Sequence, residues 1–199
     1  GVADAAVVGT SSGGLTAFRL AALHPERVSR LVLVNSAGLP RTPATNPLRP
    51  RPSGLAGWIA ARWRSPAFWR RALEDNFVPP HAVPPELVRM TYDMNRRAGW
   101  RDIEAAYLAN FSTGDPQAML ARVRAPVLVL WGLDNRTLTH LEAEVFAHWL
   151  SGTSAAVKKY PGTGHYVYLE EPALVAADIA AFLAPAPPPT AGTGIPGGR

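Results

Sequence analysis

The chain has 199 residues, 47% of them hydrophobic, which suits one folded domain with a sizeable core and room for a small insertion. Its formal net charge of +5 comes almost wholly from arginine, since Lys158 and Lys159 are the only lysines, a skew that makes nucleic-acid binding a poor inference. The absence of cysteine excludes disulfides, thiolate chemistry and cysteine-based metal sites, and no apolar run approaches the roughly 20 residues that span a bilayer.

The first apolar run, 5–8, leads directly into Gly9-Thr10-Ser11-Ser12-Gly13, and a helix-forming run over 14–23 follows at once. A strand that turns sharply into a helix exposes one side chain, here Ser11, at the carboxyl edge of a sheet. Its strained backbone calls for small neighbours two residues away on each side, which Gly9 and Gly13 provide. Ser12 is the rival nucleophile, but Thr10 stands at its minus-two position, so the frame favours Ser11; a purely structural loop is the plain alternative. The helix over 14–23 is apolar nearly all round, as expected of one buried under a sheet, and Pro25 stops it at His24. His24 reads as a turn residue rather than a ligand. Residues 30–34, Arg-Leu-Val-Leu-Val, suit a parallel strand buried on both faces, closed by a loop from Asn35 to Gly38.

From Leu39 the composition shifts to prolines interleaved with arginines, an extended exit from the core. Two helical stretches are predicted, over 55–77 and 85–111. Trp58, Trp63, Phe68, Trp69, Leu73 and Phe77 recur in the first at near-helical spacing, with a break at Pro66. The second carries Leu87, Met90, Met94, Trp100, Ile103, Tyr107 and Leu108. Most of these side chains are expected to pack the insertion on the core, with one or two aromatics and Met90 or Met94 lining an apolar pocket. The arginine-rich faces read as solvated.

A short helix over 116–123 precedes 125–132, Ala-Pro-Val-Leu-Val-Leu-Trp-Gly, another buried strand. The loop Leu133-Asp134-Asn135-Arg136 follows. An amphipathic helix is predicted over 140–150, with His140 and His148 as surface residues. The last strand, 155–160, has the lysines of an edge that must not pair further. Pro161-Gly162-Thr163-Gly164-His165 then places a histidine on a glycine-rich loop that can bend over a nucleophile. Glu170-Glu171-Pro172 opens a terminal helix to about 183, and the Pro, Ala, Gly and Thr tail cannot bury a core.

Together these segments resemble an α/β-hydrolase. Residues 9–38 look like its elbow, following helix and next strand; 125–132 is similar to its seventh strand, and 161–172 to its histidine segment. The resemblance implies an α/β fold of the α/β-hydrolase type, here the C-terminal half of a mostly parallel sheet, with a helical lid inserted between the sixth and seventh strands. The chain then divides into core over 1–39, lid over 40–121, core over 122–184 and a disordered tail over 185–199. Several strands precede the elbow in this family, so the chain is expected to be a fragment or a reduced version of the fold.

The resemblance also implies a catalytic triad. Ser11 is the expected nucleophile and His165 the base. Asp134, the one carboxylate of its loop, is the expected orienting acid. Relatives place that acid three residues after the glycine ending strand seven, a seat occupied here by Asn135, so a weakened enzyme is the alternative. The Ser12 N–H is the expected oxyanion donor, with a second donor from a loop upstream of Gly1. Serine at the elbow argues against epoxide hydrolases and haloalkane dehalogenases, which carry Asp there. The expected function is serine-dependent hydrolysis of an ester, amide or activated C–C bond in a small, largely apolar substrate. A catalytically silent binding module is the alternative. No metal, cofactor, nucleic acid or membrane is expected. The first strand would leave an open apolar edge that could pair two copies, and the location expected is cytoplasmic.

Overall fold

The computed structural model of the chain describes residues 1–40 and 64–185. The first apolar run is β1 (Ala5–Thr10), longer than its pattern because Gly9 and Thr10 keep pairing with Leu33 and Val34. It turns into α1 (Ser12–Leu23), and a short 3-10 turn (Pro25–Arg27) leads to β2 (Val28–Val34). His24 lies in that turn with its ring 3.8 Å from Glu26. One face of α1 is buried, through Leu15, Ala17, Phe18, Ala21 and Ala22, whereas Leu20 and Leu23 are exposed. The all-round burial expected of this helix is therefore corrected to burial on one side.

Among the described residues, four helices lie between β2 and β3. Of the stretch expected as helix over 55–77, the described part forms α2 (Pro66–Glu74); Trp58 and Trp63 lie outside the described residues. Ser65 caps α2 by accepting the Phe68 N–H at 3.2 Å, and Pro66 in the first turn needs no partner for a missing donor. The stretch over 85–111 is two helices, α3 (Pro85–Asn95) and α4 (Trp100–Asn110), rather than one. The break is at Gly99, whose φ of 77° is left-handed and ends the right-handed path. The short α5 (Pro116–Ala121) is capped by Asp115, which accepts the Ala118 N–H at 3.0 Å.

The chain then returns to the sheet as β3 (Val127–Gly132), followed by α6 (Leu141–Trp149) and β4 (Ala155–Tyr160). The terminal helix is split into α7 (Val167–Glu170) and α8 (Pro172–Leu183). The kink falls at Glu171, with φ −129° and ψ 60°, because a proline at the next position disfavours helix there.

All strand pairs among the described residues are parallel, in the order β1-β2-β3-β4, with Val8 beside Val32 and Val32 beside Leu128. Alternation along the strands feeds two cores. Leu31, Leu33 and Val129 pack with Phe18, Trp131 and Phe146 on one side. Val32, Val34, Leu128 and Leu130 pack with Tyr160, Val167 and Val175 on the other. β3 is buried throughout, as a central parallel strand should be. β4 is an edge, and its lysines are paired, Lys158 with Asp178 and Lys159 with Glu144 at 2.6 Å. β1 is the other edge, with Val8 52% exposed. A third cluster, Leu73, Phe77, Val83 and Val88 with Trp69 and Leu87, holds α2 to α3 and reaches Tyr166 beside β4. Among the described residues no helix is long and apolar enough to cross a membrane.

Candidate active site

The carboxyl ends of the parallel strands carry the candidate residues, since each chain exit there is a loop with groups no ladder uses. Ser11 follows β1 with φ 51° and ψ −125°, a conformation that L-residues adopt only when the surroundings hold them in it, at about 1–3 kcal/mol. Here the hold is explicit. The Ser11 N–H donates to Val34 O at 3.1 Å, and its carbonyl accepts both Gly14 N–H and Ala37 N–H at 2.9 Å. A Cβ on Gly9 would stand 2.6 Å from the Ala17 Cβ, so only glycine lets β1 and α1 meet at this angle. The expectation for Gly13 is corrected, because a Cβ there would meet nothing within 4 Å. The crowded position is Gly14, where a Cβ would lie 2.1 Å from Ser36 Oγ. Ser12 opens α1, so its N–H is among those without an intrahelical acceptor.

His165 lies on the loop after β4, 7% exposed, with its backbone N–H donating to Asn76 O at 2.8 Å. Burial disfavours its charged form and pushes the imidazole down from 6.5 to about 4. Its Nδ1 lies 3.1 Å from Asn135 Nδ2. The carboxylate expected at this contact, Asp134, is not there. Asp134 is exposed and its Oδ2 accepts the Gly162 N–H at 2.9 Å, bracing the histidine loop from outside. The reason is the turn after Gly132, in which consecutive side chains diverge and the third residue, the buried Asn135, faces inward.

The orientation of the Asn135 amide follows from its partners. Its Oδ1 accepts two backbone donors, Thr137 N–H at 2.9 Å and Leu138 N–H at 3.1 Å. Its NH2 therefore faces Nδ1 of His165, and Nδ1 must accept. The neutral ring then carries its proton on Nε2, the reverse of the tautomer a carboxylate would select.

Three further residues form the site's frame, and sequence reasoning did not assign them to it. Asn35, fully buried at φ 42°, donates through Nδ2 to His165 O at 2.8 Å and Gly164 O at 3.3 Å, and accepts the Gly132 N–H at 3.0 Å. Glu170 is buried, and its two oxygens accept the Gly164 N–H at 2.6 Å and the Val78 N–H at 2.7 Å. Asn76 takes the Thr137 hydroxyl on its side-chain oxygen. In the sequence Glu170 read as a helix opener; the available signal was a carboxylate close behind a glycine-rich loop whose amides have no ladder. In the insertion, Met90, a candidate pocket residue, is exposed, and a cleft there is lined by Arg64, Tyr92, Arg96, Arg97 and Glu104, with Arg64 paired to Glu104 at 3.3 Å.

The sequence profile of the Alpha/beta hydrolase family matches residues 1–178. A 2-hydroxymuconate semialdehyde hydrolase of Pseudomonas sp. strain CF600 is 28% identical over 93% of this chain and 64% of its own length. A pimeloyl-[acyl-carrier protein] methyl ester esterase of Aromatoleum aromaticum is 31% identical over 85% of this chain and 70% of its own length. A meta-cleavage product hydrolase from Pseudomonas fluorescens IP01 superimposes with a TM-score of 0.69, covering 91% of this chain and 65% of that one; at 18% identity this likeness bears on the fold alone. The chain thus spans about two thirds of the length of these relatives, and the profile, the parallel sheet and the strained serine turn agree: it belongs to the alpha/beta hydrolase family.

Proposed function

We propose that the chain carries a serine-hydrolase centre in which Ser11 is the nucleophile and His165 the general base. The observation that carries this reading is the backbone of Ser11, held at φ 51° between β1 and α1 by three hydrogen bonds and by the close packing at Gly9. Strain of that kind persists where the surroundings over-determine it, and a hydroxyl so held at the carboxyl end of the sheet, where the His165 loop also lies, suits a nucleophile. Ser11 Oγ would attack the carbonyl of an ester or activated acyl substrate. In the minor tautomer that leaves Nε2 free, His165 would take the hydroxyl proton there and return it to the leaving group, and the Ser12 N–H would meet the oxyanion. Relatives named as a semialdehyde hydrolase and a methyl ester esterase support the hydrolytic reaction class, and the substrate proposed for this chain is small and largely apolar.

Asn135 makes this centre a slow one. An amide donating to Nδ1 puts the proton on Nε2, where the base must be free, and offers nothing to an imidazolium. That same contact favours the second reading, a hydrolase-like module that binds its ligand without turning it over. Hydrolysis of a short-chain p-nitrophenyl ester by the 199-residue chain decides between them. Slow turnover, lost in Ser11→Ala and His165→Ala, supports the first. No turnover above the buffer rate by the folded chain supports the second, and turnover unchanged by both substitutions overturns the first.

A further inference from the structure

The contacts of Asn76 close a ring of hydrogen bonds around His165. The His165 N–H donates to Asn76 O at 2.8 Å. Asn76 Oδ1 accepts from the Thr137 hydroxyl, the Thr137 N–H donates to Asn135 Oδ1 at 2.9 Å, and Asn135 Nδ2 meets His165 Nδ1 at 3.1 Å. Backbone and ring of the same histidine are thus joined through one residue of the insertion. That residue lies just beyond Asp75, the C-cap of α2, and is tied to the helix by its own amide, which donates to Ala72 O at 3.1 Å. Glu170 closes a second ring beside the first, bridging Gly164 to Val78. Contact is tight as well as polar. A Cβ on Gly164 would lie 2.5 Å from Asn76 O, and Phe77 stacks on Tyr166 at 5.2 Å. Titratable groups beside the imidazole among the described residues include Tyr166, edge-on at 5.5 Å, and Glu170, bonded to the neighbouring amide of Gly164.

We infer that Asn76 is a positioning residue through which the end of α2 sets the imidazole of His165 against Asn135. This rests on reading His165 as the base of the proposed centre. Two points of attachment, one on the backbone and one through the Asn135 loop, are what fix both the place and the rotation of a ring. Loss of the Asn76–Thr137 bond leaves the backbone attachment and frees the rotation. The imidazole then slips from Asn135 toward solvent, which moves its titration midpoint up from about 4 toward 6.5.

The test is an NMR titration of the ring nitrogens of His165 in the full 199-residue chain, with cooperative melts verifying each variant. Thr137→Val and Asn76→Ala are each expected to raise the midpoint by about half a unit, roughly a threefold change in the protonation equilibrium, and to alter the Nδ1 shift. The double variant is expected to go no further than either single one. Thr137→Ser, which keeps the hydroxyl, is expected to restore the wild-type signals, and the exposed Arg89→Ala on α3 to leave them unchanged. Wild-type midpoint and Nδ1 shift in both Thr137→Val and Asn76→Ala overturn the inference, as does a Thr137→Ser variant that behaves like valine. The signals are read without substrate, so a shift with no fluorophosphonate labelling at Ser11 would refute the hydrolase reading and leave the positioning intact.

Discussion

Replacing Asn135 by aspartate is the perturbation from which the site has most to gain. One carboxylate oxygen can keep the Thr137 and Leu138 N–H donors now held at 2.9 and 3.1 Å, so the loop retains its frame. The other takes the place of the NH2, about 3 Å from Nδ1, where it accepts a proton instead of offering one. The neutral tautomer reverses, Nε2 becomes free to accept, and the imidazolium gains a counter-charge in a buried setting. Exchanging these two groups at the equivalent contact of a serine protease is worth about 10⁴ in turnover. A gain of at least about a hundredfold is expected here, since reversing the tautomer and stabilising the imidazolium supply most of that effect. The assay is the second-order rate of Ser11 phosphonylation by a fluorophosphonate, followed with p-nitrophenyl ester hydrolysis and the His165 midpoint, which should climb from about 4. Asp134→Ala is the counterpart. It removes the bond to Gly162 and is expected to cost about 1 kcal/mol of stability with little change in rate. A folded Asn135→Asp chain whose rate rises less than about threefold, or an Asp134→Ala chain that loses its activity, would refute the reasoning.

Further outcomes follow from the same geometry. Gly14→Ala puts a Cβ 2.1 Å from Ser36 Oγ and is expected to destabilise the fold, whereas Gly13→Ala meets open space. Denaturant titration should read a loss of about 1–3 kcal/mol for Gly14→Ala, and for Gly13→Ala no loss or a small gain. Between pH 6.5 and 4 the unfolded chain takes up a proton that buried His165 refuses, so stability is whole above 6.5 and falls with pH. The loss expected at pH 4 is about 3 kcal/mol, and a His165→Asn chain with the same pH slope would contradict it. The outer edge of β1, which pairs with no strand among the described residues and leaves Val8 exposed, is expected to make the chain self-associate, read by light scattering against concentration; a Val8→Lys chain should associate less.

The elbow and the strands were legible in the sequence because each rests on local residue types. Gly9 and Ser11 mark a strained turn between an apolar run and a helix, and 30–34 and 127–132 read as strands buried on both faces. The helix break at Gly99 was there to be read, but neighbouring apolar residues kept the helical period across it. The frame around His165 was not legible. Asn35 reaches 130 residues along the chain and Glu170 reaches back 92, each to a backbone group, and no spacing or residue pattern encodes such a contact. Asp134 and Asn135 show the finest limit. A carboxylate is the better chemistry and drew the expectation, yet loop side chains follow no period, and one residue decides which faces the imidazole.

On the proposed reading, Ser11 is a nucleophile served by a histidine that Asn135 holds back. Mass spectrometry of the phosphonylated peptide tests it most directly, on the 199-residue chain and on Asn135→Asp after equal exposure to fluorophosphonate. The label is expected on Ser11 in both, sparse in the first and abundant in the second, and none in Ser11→Ala. Label on Ser12, or no label on a folded Asn135→Asp chain, would contradict it.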